Sequence, residues 1–539
     1  MKKGYKYYPM HMHLHTCHQP GASMEGHIYN AALLGMSYIR FTDHDTRTGR
    51  KKDPVDSFDF SKGCLSYEDA PGCEVGWKVK GEPTLNVKEG EITVLGKDSE
   101  PCGIELYSSG TRHTVSLIAD VTLTLGLKLN LNEGGRAILD FRLSQRPPLH
   151  KPAHFRLVFG NPTEVPTENT AERKIEVRED GIYTVRLSEL VAPIAEIGGL
   201  DNVFDTVTLL VEGKGASATV SRLEIEAKYG FDEVIKRQRV IADEIGMRYG
   251  VKPFVTTEIS GAGNHKNCFS TRVPVIDYAA RGYNVTQKEA IKHVTDHGGI
   301  FAYNHPFERY KRQYKLGATK EELKKLAEDL TCELKESKVY GATLMEVAFI
   351  EGRCGFSLQD HLALWDKISL SGIFITGYGD SDSHYSDKKW FDGTNFASYV
   401  AAAEELPFPI DEDEFIESMK AGRLYTADPV RYKGKVSFTS CGREMGSVIV
   451  SDTPTVCHLA LSDLADCTVK ISTNGEYTKT LLPSDGELSV DLELPCNLAV
   501  NLTRVEIYNE NGRCIMLTNP IYLVNPNLFK GEIPKERLT

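Results

Sequence analysis

The segment Tyr7-Tyr8-Pro9-Met10-His11-Met12-His13-Leu14-His15 decides the predicted fold, because it begins a strand–helix–strand unit. Its extended, aromatic-rich character predicts a strand. Glu25 to Gly35 then carries apolar residues at helical spacing and ends on a glycine. The run Tyr38-Ile39-Arg40-Phe41-Thr42 predicts a second, buried strand, which ends on Asp43-His44-Asp45.

The same alternation of helix and strand returns between residues 229 and 433. Helices are predicted at 231–248, 286–297, 319–337, 358–369 and 411–420, and short apolar strands lie between or after them. This alternation predicts parallel βα units, either in a doubly wound sheet or in a barrel. The two blocks, 1–52 and 229–433, together have about the 250 residues typical of a (β/α) barrel.

Two other regions are predicted to be all β. Residues 53–228 consist of short alternating segments broken by Gly, Pro, Asn and Asp, which indicates an inserted, jelly-roll-like β-sandwich. Residues 434–539 show similar alternation and predict a small Ig-like C-terminal β-sandwich. The segment Leu200 to Val203 looks like the end of a carbohydrate-binding module, so the insert either recruits a carbohydrate or forms a lid or oligomer interface.

The amino-acid composition limits which binding partners and which cellular location are expected for this chain. The 539 residues are 41% hydrophobic and 26% charged, which excludes wholesale disorder. A net charge of −12 lacks the basic field that tight binding to long nucleic acids needs. No apolar run has the ~18–20 residues of a membrane span, and no apolar segment of a signal peptide follows Lys2-Lys3. Twelve cysteines without a C-x-x-C pair indicate free thiols, so a cytoplasmic location is expected.

Histidine and carboxylate residues follow the predicted strands. His13 and His15 lie two residues apart, so they share one face of a strand. A lone histidine at a strand end is usually a capping or core residue, but here five strand ends each provide His, Asp or Glu. In parallel barrels these ends build the active site. Imidazole and carboxylate together suit zinc, iron or manganese, so the pattern predicts a transition-metal site.

These residues stand in five motifs that resemble those of the polymerase and histidinol phosphatase (PHP) family of metal-dependent hydrolases. They occur in the family's order as His13-Leu14-His15-Thr16, Thr42-Asp43-His44, Glu258-Ile259, Gly298-Gly299 to His305-Pro306, and Ser381-Asp382-Ser383-His384. The resemblance covers the two barrel blocks, about half the chain. It implies a distorted seven-stranded (β/α)7 barrel within a multidomain α/β plus β protein.

The resemblance also implies a set of ligands for two or three divalent ions (Zn, Mn or Fe), namely His13, His15, His18, His44, Glu258, His265, His305, Asp382 and His384. Within this set Glu258 bridges two ions, and His44 and His384 contribute to a third site. The family pattern places an aspartate in the segment that here is 16–21. That aspartate is absent, and His18 is the candidate replacement. The implied catalytic residues are Glu258, Asp382 and His384.

Three functions follow from this interpretation. The leading one is a phosphoesterase that uses a metal-activated hydroxide on a small phosphorylated molecule, with Arg309 as a candidate anion-binding residue or else a solvated loop charge. The layout and Thr518-Asn519-Pro520-Ile521-Tyr522 resemble the carbaryl-hydrolase-like (CehA/McbA) branch, which implies carbamate, ester or amide hydrolysis instead. The third is a glycan-binding protein with a vestigial barrel. His11 is at most a residue supporting the ligands, and the helical histidines are interpreted as structural.

Overall fold

A computed structural model describes most of the chain, over residues 4–16, 22–45, 55–57, 78–88, 90–97, 100–108, 115–148, 151–161, 169–261, 264–278, 285–348, 353–386, 389–392, 396–483 and 485–538. Strands hold 42% of the described residues and helices 24%, so β structure dominates this part of the chain. No helix in these ranges is long and apolar enough to cross a bilayer.

The chain opens with the predicted strand–helix–strand unit, which consists of β1 (Tyr5–His11), α1 (Met24–Leu33) and β2 (Tyr38–His44). The side chain of Ser23 caps α1 by accepting a hydrogen bond from the backbone N–H of Gly26, and Gly35 follows the helix at a φ of 72°. The two strands are parallel neighbours, with Met10 opposite Tyr38. Residues on β2 are buried throughout.

The inserted region forms two sheets. Its elements are β3 (Val55–Ser57), β4 (Lys78–Lys80), β5 (Thr84–Lys88), β6 (Glu91–Leu95), β7 (Cys102–Ser108), β8 (Val115–Ser116), β9 (Val121–Asn130), β10 (Arg136–Arg146), β11 (Lys151–Gly160), β12 (Thr170–Ile175), β13 (Ile182–Arg186), α2 (Leu187–Val191), β14 (Val203–Glu212) and β15 (Ser217–Ala227). One sheet has seven strands and the other six. Alternate residues of both sheets enter a core that continues into α1 and β2.

The second block contains α3 (Phe231–Tyr249), β16 (Lys252–Ile259), β17 (Lys266–Phe269), α4 (Gln287–Asp296), β18 (Ile300–Tyr303), α5 (Lys311–Lys315), α6 (Lys320–Glu336), β19 (Leu344–Ala348), α7 (Leu358–Leu370), β20 (Thr376–Gly379), α8 (Lys389–Asp392), β21 (Ala397–Ala403), α9 (Glu412–Ala421) and β22 (Leu424–Ala427). Capping boxes start α4, α6 and α7, with Thr286, Thr319 and Ser357 as the N-cap residues. Each box satisfies backbone N–H groups that the first helical turn leaves without partners.

The predicted (β/α)7 barrel is wrong. The strands form one path of a mixed sheet, in the order β20-β19-β18-β17-β16-β2-β1-β21-β22. β17 is antiparallel to both of its neighbours, and β21 is antiparallel to β1. In the described ranges β20 pairs in a ladder with β19 alone. An isolated β-bridge between Leu14 and Ser383 connects the segment after β1 with the segment after β20. The physical reason is that β16 and β17 are joined without a crossover helix, so β17 runs antiparallel to β16, and that β21 runs antiparallel to both β1 and β22.

The sheet also crosses the predicted boundary at residue 433. The C-terminal strands are β23 (Val436–Ser440), β24 (Arg443–Glu444), β25 (Val448–Val450), β26 (Thr455–Ser462), β27 (Thr468–Thr473), β28 (Glu476–Leu481), β29 (Glu487–Leu494), β30 (Val500–Tyr508), β31 (Cys514–Thr518) and β32 (Ile521–Val524). β31 pairs with β22, so the sheet extends to fifteen strands, and β24, β23, β26 and β29 form a separate four-stranded sheet. The C-terminal strands therefore stabilise the sheet that carries the site.

Candidate metal centre

The backbone around Leu14 connects three parts of the site. The carbonyl of Leu14 accepts a hydrogen bond from Thr42 N at 2.9 Å, and His15 N donates to the carbonyl of Ser383 at 3.0 Å. The first bond ties the His-x-His segment to β2, which ends at His44, and the second ties it to the segment that carries Asp382 and His384. These bonds bring the ends of three strands together even though the predicted barrel does not form.

The structure brings the predicted ligands together. Four overlapping groups of three residues each have ligand atoms within 4.8 Å of one another, and they comprise His13, His15, His44, Glu258, His265, His305, Asp382 and His384. His18, the ninth predicted ligand, lies outside the described residues. Most of these side chains are buried. The exceptions are His265, whose side chain is 35% exposed, and His384, which is 22% exposed, so solvent reaches the cluster beside these two rings.

Glu258, at the end of β16, lies at the centre of the cluster. Its Oε1 lies 3.3 Å from Nε2 of His13, 3.3 Å from Nδ1 of His265 and 3.5 Å from Nε2 of His305. Its Oε2 lies 2.5 Å from Nδ1 of His44. One fully buried carboxylate thus faces imidazoles on two sides. A carboxylate in this arrangement can bridge two ions.

Asp382 forms a second carboxylate corner. Its Oδ1 lies 3.3 Å from Nε2 of His13, 3.0 Å from Nε2 of His15 and 3.7 Å from Nδ1 of His384. The backbone of Asp382 has a φ of 47°, a region that is uncommon for residues other than glycine. This conformation follows directly after β20 and lets Asp382 and His384 approach the His-x-His segment.

The charges in the cluster support ionised carboxylates. Burial alone would raise the pKa of Glu258, but His44, His13 and His265 hold that pKa well below its usual value. The pKa of Asp382 is also held well below its usual value, because His13, His15 and His384 outweigh burial. Burial, together with His384 and His44, lowers the pKa of His15, so this imidazole is neutral. Burial opposes protonation of His13, but Asp382 and Glu258 raise its pKa well above the usual value. Metal ions bind ionised carboxylates and neutral imidazoles, so an ion that binds His13 would displace a proton.

His13 provides a direct test of whether the cluster fits a metal ion. Its Nδ1 lies 3.2 Å from Oε1 of Glu346, whereas its buried Nε2 has no hydrogen-bond partner in the described part of the chain. This nitrogen lies 3.3 Å from Oε1 of Glu258 and 3.3 Å from Oδ1 of Asp382, so it lies between two carboxylates. A buried polar atom without a hydrogen bond is costly, and a cation between this nitrogen and the two carboxylates removes that cost. The residues therefore fit a divalent transition metal.

Several supporting residues were not predicted as part of the site. Glu346 contacts His13 and also accepts a hydrogen bond from His305 N at 2.6 Å. Asn304 donates from Nδ2 to Oε1 of Glu258 at 2.8 Å. The signal for Glu346 was a carboxylate inside the otherwise apolar run Thr343-Leu344-Met345-Glu346-Val347. Asn304 directly precedes the His-Pro motif, but an asparagine there carries no distinct signal.

His11, interpreted from its position as at most a supporting residue, contacts a carboxylate beside the cluster. Its Nδ1 lies 3.1 Å from Oδ1 of Asp380, and the same carboxylate accepts a hydrogen bond from the backbone N–H of Met12. Asp380 follows β20 and lies two residues before Asp382. This pair therefore joins the segment before the His-x-His motif to the segment that carries the second carboxylate.

The structure places Arg309 in an ion pair at the protein surface. Its Nη1 lies 2.9 Å from both carboxylate oxygens of Glu333 on α6. Lys266, on β17 beside His265, is a buried amine that was not predicted. Burial, opposed by Glu258, lowers its pKa to about 7. Any role of Arg309 in substrate binding requires this ion pair to open, whereas Lys266 already lies within the protein beside the cluster.

Comparisons with known proteins do not assign a family. No protein-family model and no curated protein matches the chain. Similar solved structures include a Bacillus licheniformis family 12 xyloglucanase, with 9% identity over 33% of this chain and 94% of that one and a TM-score of 0.21. A Bacteroides uniformis beta-glucuronidase has 10% identity over 84% of this chain and 61% of that one, with a TM-score of 0.16. At these TM-scores the likenesses carry no argument about fold or function.

Proposed function

We propose that this chain is a metal-dependent hydrolase with two or three divalent transition ions, zinc, manganese or iron, held by the clustered histidines, Glu258 and Asp382. The observation that carries this proposal is the position of Glu258, one buried carboxylate whose two oxygens face imidazoles from separate parts of the chain. Such a set of nitrogen and oxygen ligands suits these metals. The five motifs of the PHP-like pattern add support, because they contribute all the residues of the cluster except His265.

The ions and the residues that hold them would have separate roles in hydrolysis. When bound, the ions supply a hydroxide nucleophile at neutral pH and polarise the scissile group. Glu258 and Asp382 fix the spacing of the ligand sites. Glu346 holds His13 by its Nδ1, and this leaves Nε2 directed at the carboxylates. A substrate would enter beside His265 and His384, because these are the partly exposed ligands.

The substrate class that we favour is a small phosphorylated molecule. Support comes from the resemblance of the motifs and from Lys266, a buried amine beside His265 that would stabilise an anionic group in its protonated form. The chain's net charge of −12 disfavours long nucleic acids as substrates. Carbamate, ester or amide hydrolysis remains the second proposal, and it rests on the branch resemblance alone.

The decisive experiment compares substrates and metals on one preparation. The chelator-treated protein is assayed on p-nitrophenyl phosphate, bis-p-nitrophenyl phosphate and p-nitrophenyl acetate, before and after addition of Mn²⁺ or Zn²⁺. We expect phosphoester hydrolysis only with metal, and its loss in the His13→Ala/His15→Ala variant. The matched control is His458→Ala, whose imidazole is 60% exposed on β26 and pairs with Asp491.

Two outcomes would redirect the proposal. Metal-dependent hydrolysis of the aryl ester without phosphoester hydrolysis would select the second substrate class. Metal analysis of protein that has never met a chelator tests the hydrolase itself. Less than one equivalent of transition metal per chain, together with no hydrolysis of any substrate, would instead favour a glycan-binding protein, and a glycan array would then identify its ligand.

A further inference from the structure

Helix α1 stands between the inserted region and the candidate metal centre. Its first turn is held from the insert, because the carboxylate of Asp201 accepts hydrogen bonds from Met24 N at 3.3 Å and from Glu25 N at 3.0 Å. Ser23, the N-cap residue, donates from Oγ to the carbonyl of Gln145 at 2.9 Å. A carboxylate at a helix N-terminus is favourable, and here it comes from a different region of the chain.

Arg146 fixes this contact from the end of β10. Its Nη1 lies 2.9 Å from Oδ2 of Asp201 and 2.9 Å from Oε2 of Glu25, and its Nη2 donates to the carbonyl of Asp201 at 2.8 Å. Arg146 and Asp201 are almost fully buried, so solvent screens the pair little. Gly198 permits the approach, because a Cβ at this position would collide with the guanidinium.

The opposite side of α1 contacts the proposed ligands. The indole N–H of Trp390 donates to Nδ1 of His27 at 3.1 Å, and an indole nitrogen can only donate. The proton of His27 is therefore on Nε2, which donates to the carbonyl of His15 at 3.2 Å. Asn30 donates from Nδ2 to the carbonyl of Ser386 at 2.8 Å, two residues after His384.

We propose that Arg146 and Asp201 are positioning residues for the metal centre, acting through α1 on His15 and on the segment that carries His384. The inference rests on the proposed function only in requiring that the centre binds a metal ion. The buried ion pair of the insert thereby sets where the ligand-supporting helix lies. Loss of the pair lets α1 shift, and the backbone of His15 moves with it.

The test measures metal affinity separately from stability. The full-length, chelator-treated protein is titrated with Zn²⁺ against a chromophoric competitor, for the unmodified chain and for Arg146→Met and Asp201→Asn. We expect Zn²⁺ affinity to fall about tenfold in each variant, the lower end of the loss seen when residues that support metal ligands are changed. Arg146→Lys, which retains the charge but not the forked geometry, should lose less affinity than Arg146→Met.

The control lies at the other end of the same strand. Arg136 begins β10, at the opposite end from Arg146, and pairs with Glu212, with 2.6 Å between Nη2 and Oε2. Arg136→Met should keep its Zn²⁺ affinity within about twofold, whatever its effect on thermal unfolding. Affinity in Arg146→Met equal to that in Arg136→Met would overturn the inference and leave the proposed function intact. Failure of the unmodified chain to bind Zn²⁺ would overturn both.

Discussion

Nδ1 of His13 lies 3.2 Å from Oε1 of Glu346, and the other oxygen of the same carboxylate accepts a hydrogen bond from the backbone N–H of His305. One carboxylate on β19 thus contacts a proposed ligand from each of two other chain segments. Carboxylates in this position fix the tautomer of the imidazole and increase its basicity towards a metal. Glu346 is therefore expected to matter for metal binding although it is not itself a predicted ligand.

Replacing Glu346 by Gln retains the shape of the side chain and removes its charge. We expect Zn²⁺ affinity to fall by about 10- to 100-fold, because the imidazole of His13 loses its charged hydrogen-bond partner. Competitive titration of the chelator-treated protein measures the change. The control is Glu444→Gln. The carboxylate of Glu444 lies in the C-terminal region, on β24, and accepts a hydrogen bond from Tyr7 OH. Equal affinity in the two variants would contradict the proposed role of Glu346.

A buried ion pair joins α7 to the C-terminal strands. Arg504 donates from Nε to Oδ1 of Asp366 at 2.9 Å and from Nη2 to Oδ2 of Asp366 at 2.8 Å. Its guanidinium also contacts the carboxylate of Glu506. Arg504→Met leaves two buried carboxylates without their cation, so we expect a loss of about 3–5 kcal/mol in the free energy of unfolding. Urea denaturation of the full-length protein measures this loss.

An ion pair exposed to solvent allows a comparison with the buried pair of Arg504. Arg272 contacts Asp413 with 2.6 Å between Nη1 and Oδ2, and both side chains are about half exposed. Arg272→Met should change the free energy of unfolding by less than about 1 kcal/mol, because solvent screens this pair. Similar losses in the two variants would show that burial of Arg504 does not determine its contribution.

The candidate ligands could be picked out from the sequence because the pattern that marks them is local. His13 and His15 share a strand face at a spacing of two residues, and the other ligands directly follow short apolar runs. A local pattern of this kind identifies the same residues even when the sheet topology is predicted wrongly, because the ends of neighbouring strands meet whether or not the sheet closes into a barrel. The candidate ligands within the described residues therefore lie close together although the predicted barrel is wrong, and their role as ligands stays a prediction.

The order of the strands could not be predicted, since it depends on pairings between distant segments. β17 has only four residues, too few for a periodic pattern to show. β21 reads Ala397-Ser398-Tyr399-Val400-Ala401-Ala402-Ala403, and alanine is depleted in strands, so its composition gave little strand signal. Its partner β1 lies almost at the other end of the chain. The pairing of β22 with β31, which joins the C-terminal strands to the sheet, has the same long-range character.

Because His361 is buried, we expect the protein to lose stability in acid. Burial lowers the pKa of His361 to about 4, whereas an unfolded histidine has a pKa of about 6.5. Below pH 6.5 the unfolded chain binds the proton and the folded chain does not, so the free energy of unfolding falls as the pH falls towards 4. This one residue should account for about 2 kcal/mol of the loss between pH 7 and pH 5.

The measurement compares urea denaturation at pH 7 and pH 5 for the chelator-treated unmodified protein and for His361→Asn. The other histidines are the same in both proteins, so their contributions cancel in the difference. We expect the pH-dependent loss to be about 2 kcal/mol smaller in the variant. An equal pH dependence in the two proteins would show that His361 is protonated in the folded state.

Asn519, in the Thr518–Tyr522 segment that suggested the carbaryl-hydrolase-like branch, has a structural role in this fold. Its Oδ1 accepts a hydrogen bond from Gly377 N at 2.9 Å, and its Nδ2 donates to the carbonyls of Gly377 at 2.7 Å and Leu424 at 2.9 Å. The side chain thus bridges β20 and β22. Asn519→Ala leaves three buried backbone groups without these partners, so we expect a loss of about 3 kcal/mol in the free energy of unfolding.

The same variant tests whether the motif influences substrate choice. Because Asn519 bonds to backbone and not to a proposed ligand, the ratio of phosphoester to aryl-ester hydrolysis should not change in Asn519→Ala at a temperature where it stays folded. Asn511→Ala, in a turn exposed to solvent, is the control and should leave both stability and this ratio unchanged. An altered ratio without a loss of stability would instead connect the motif to the site. That result would favour carbamate or ester hydrolysis over phosphoester hydrolysis.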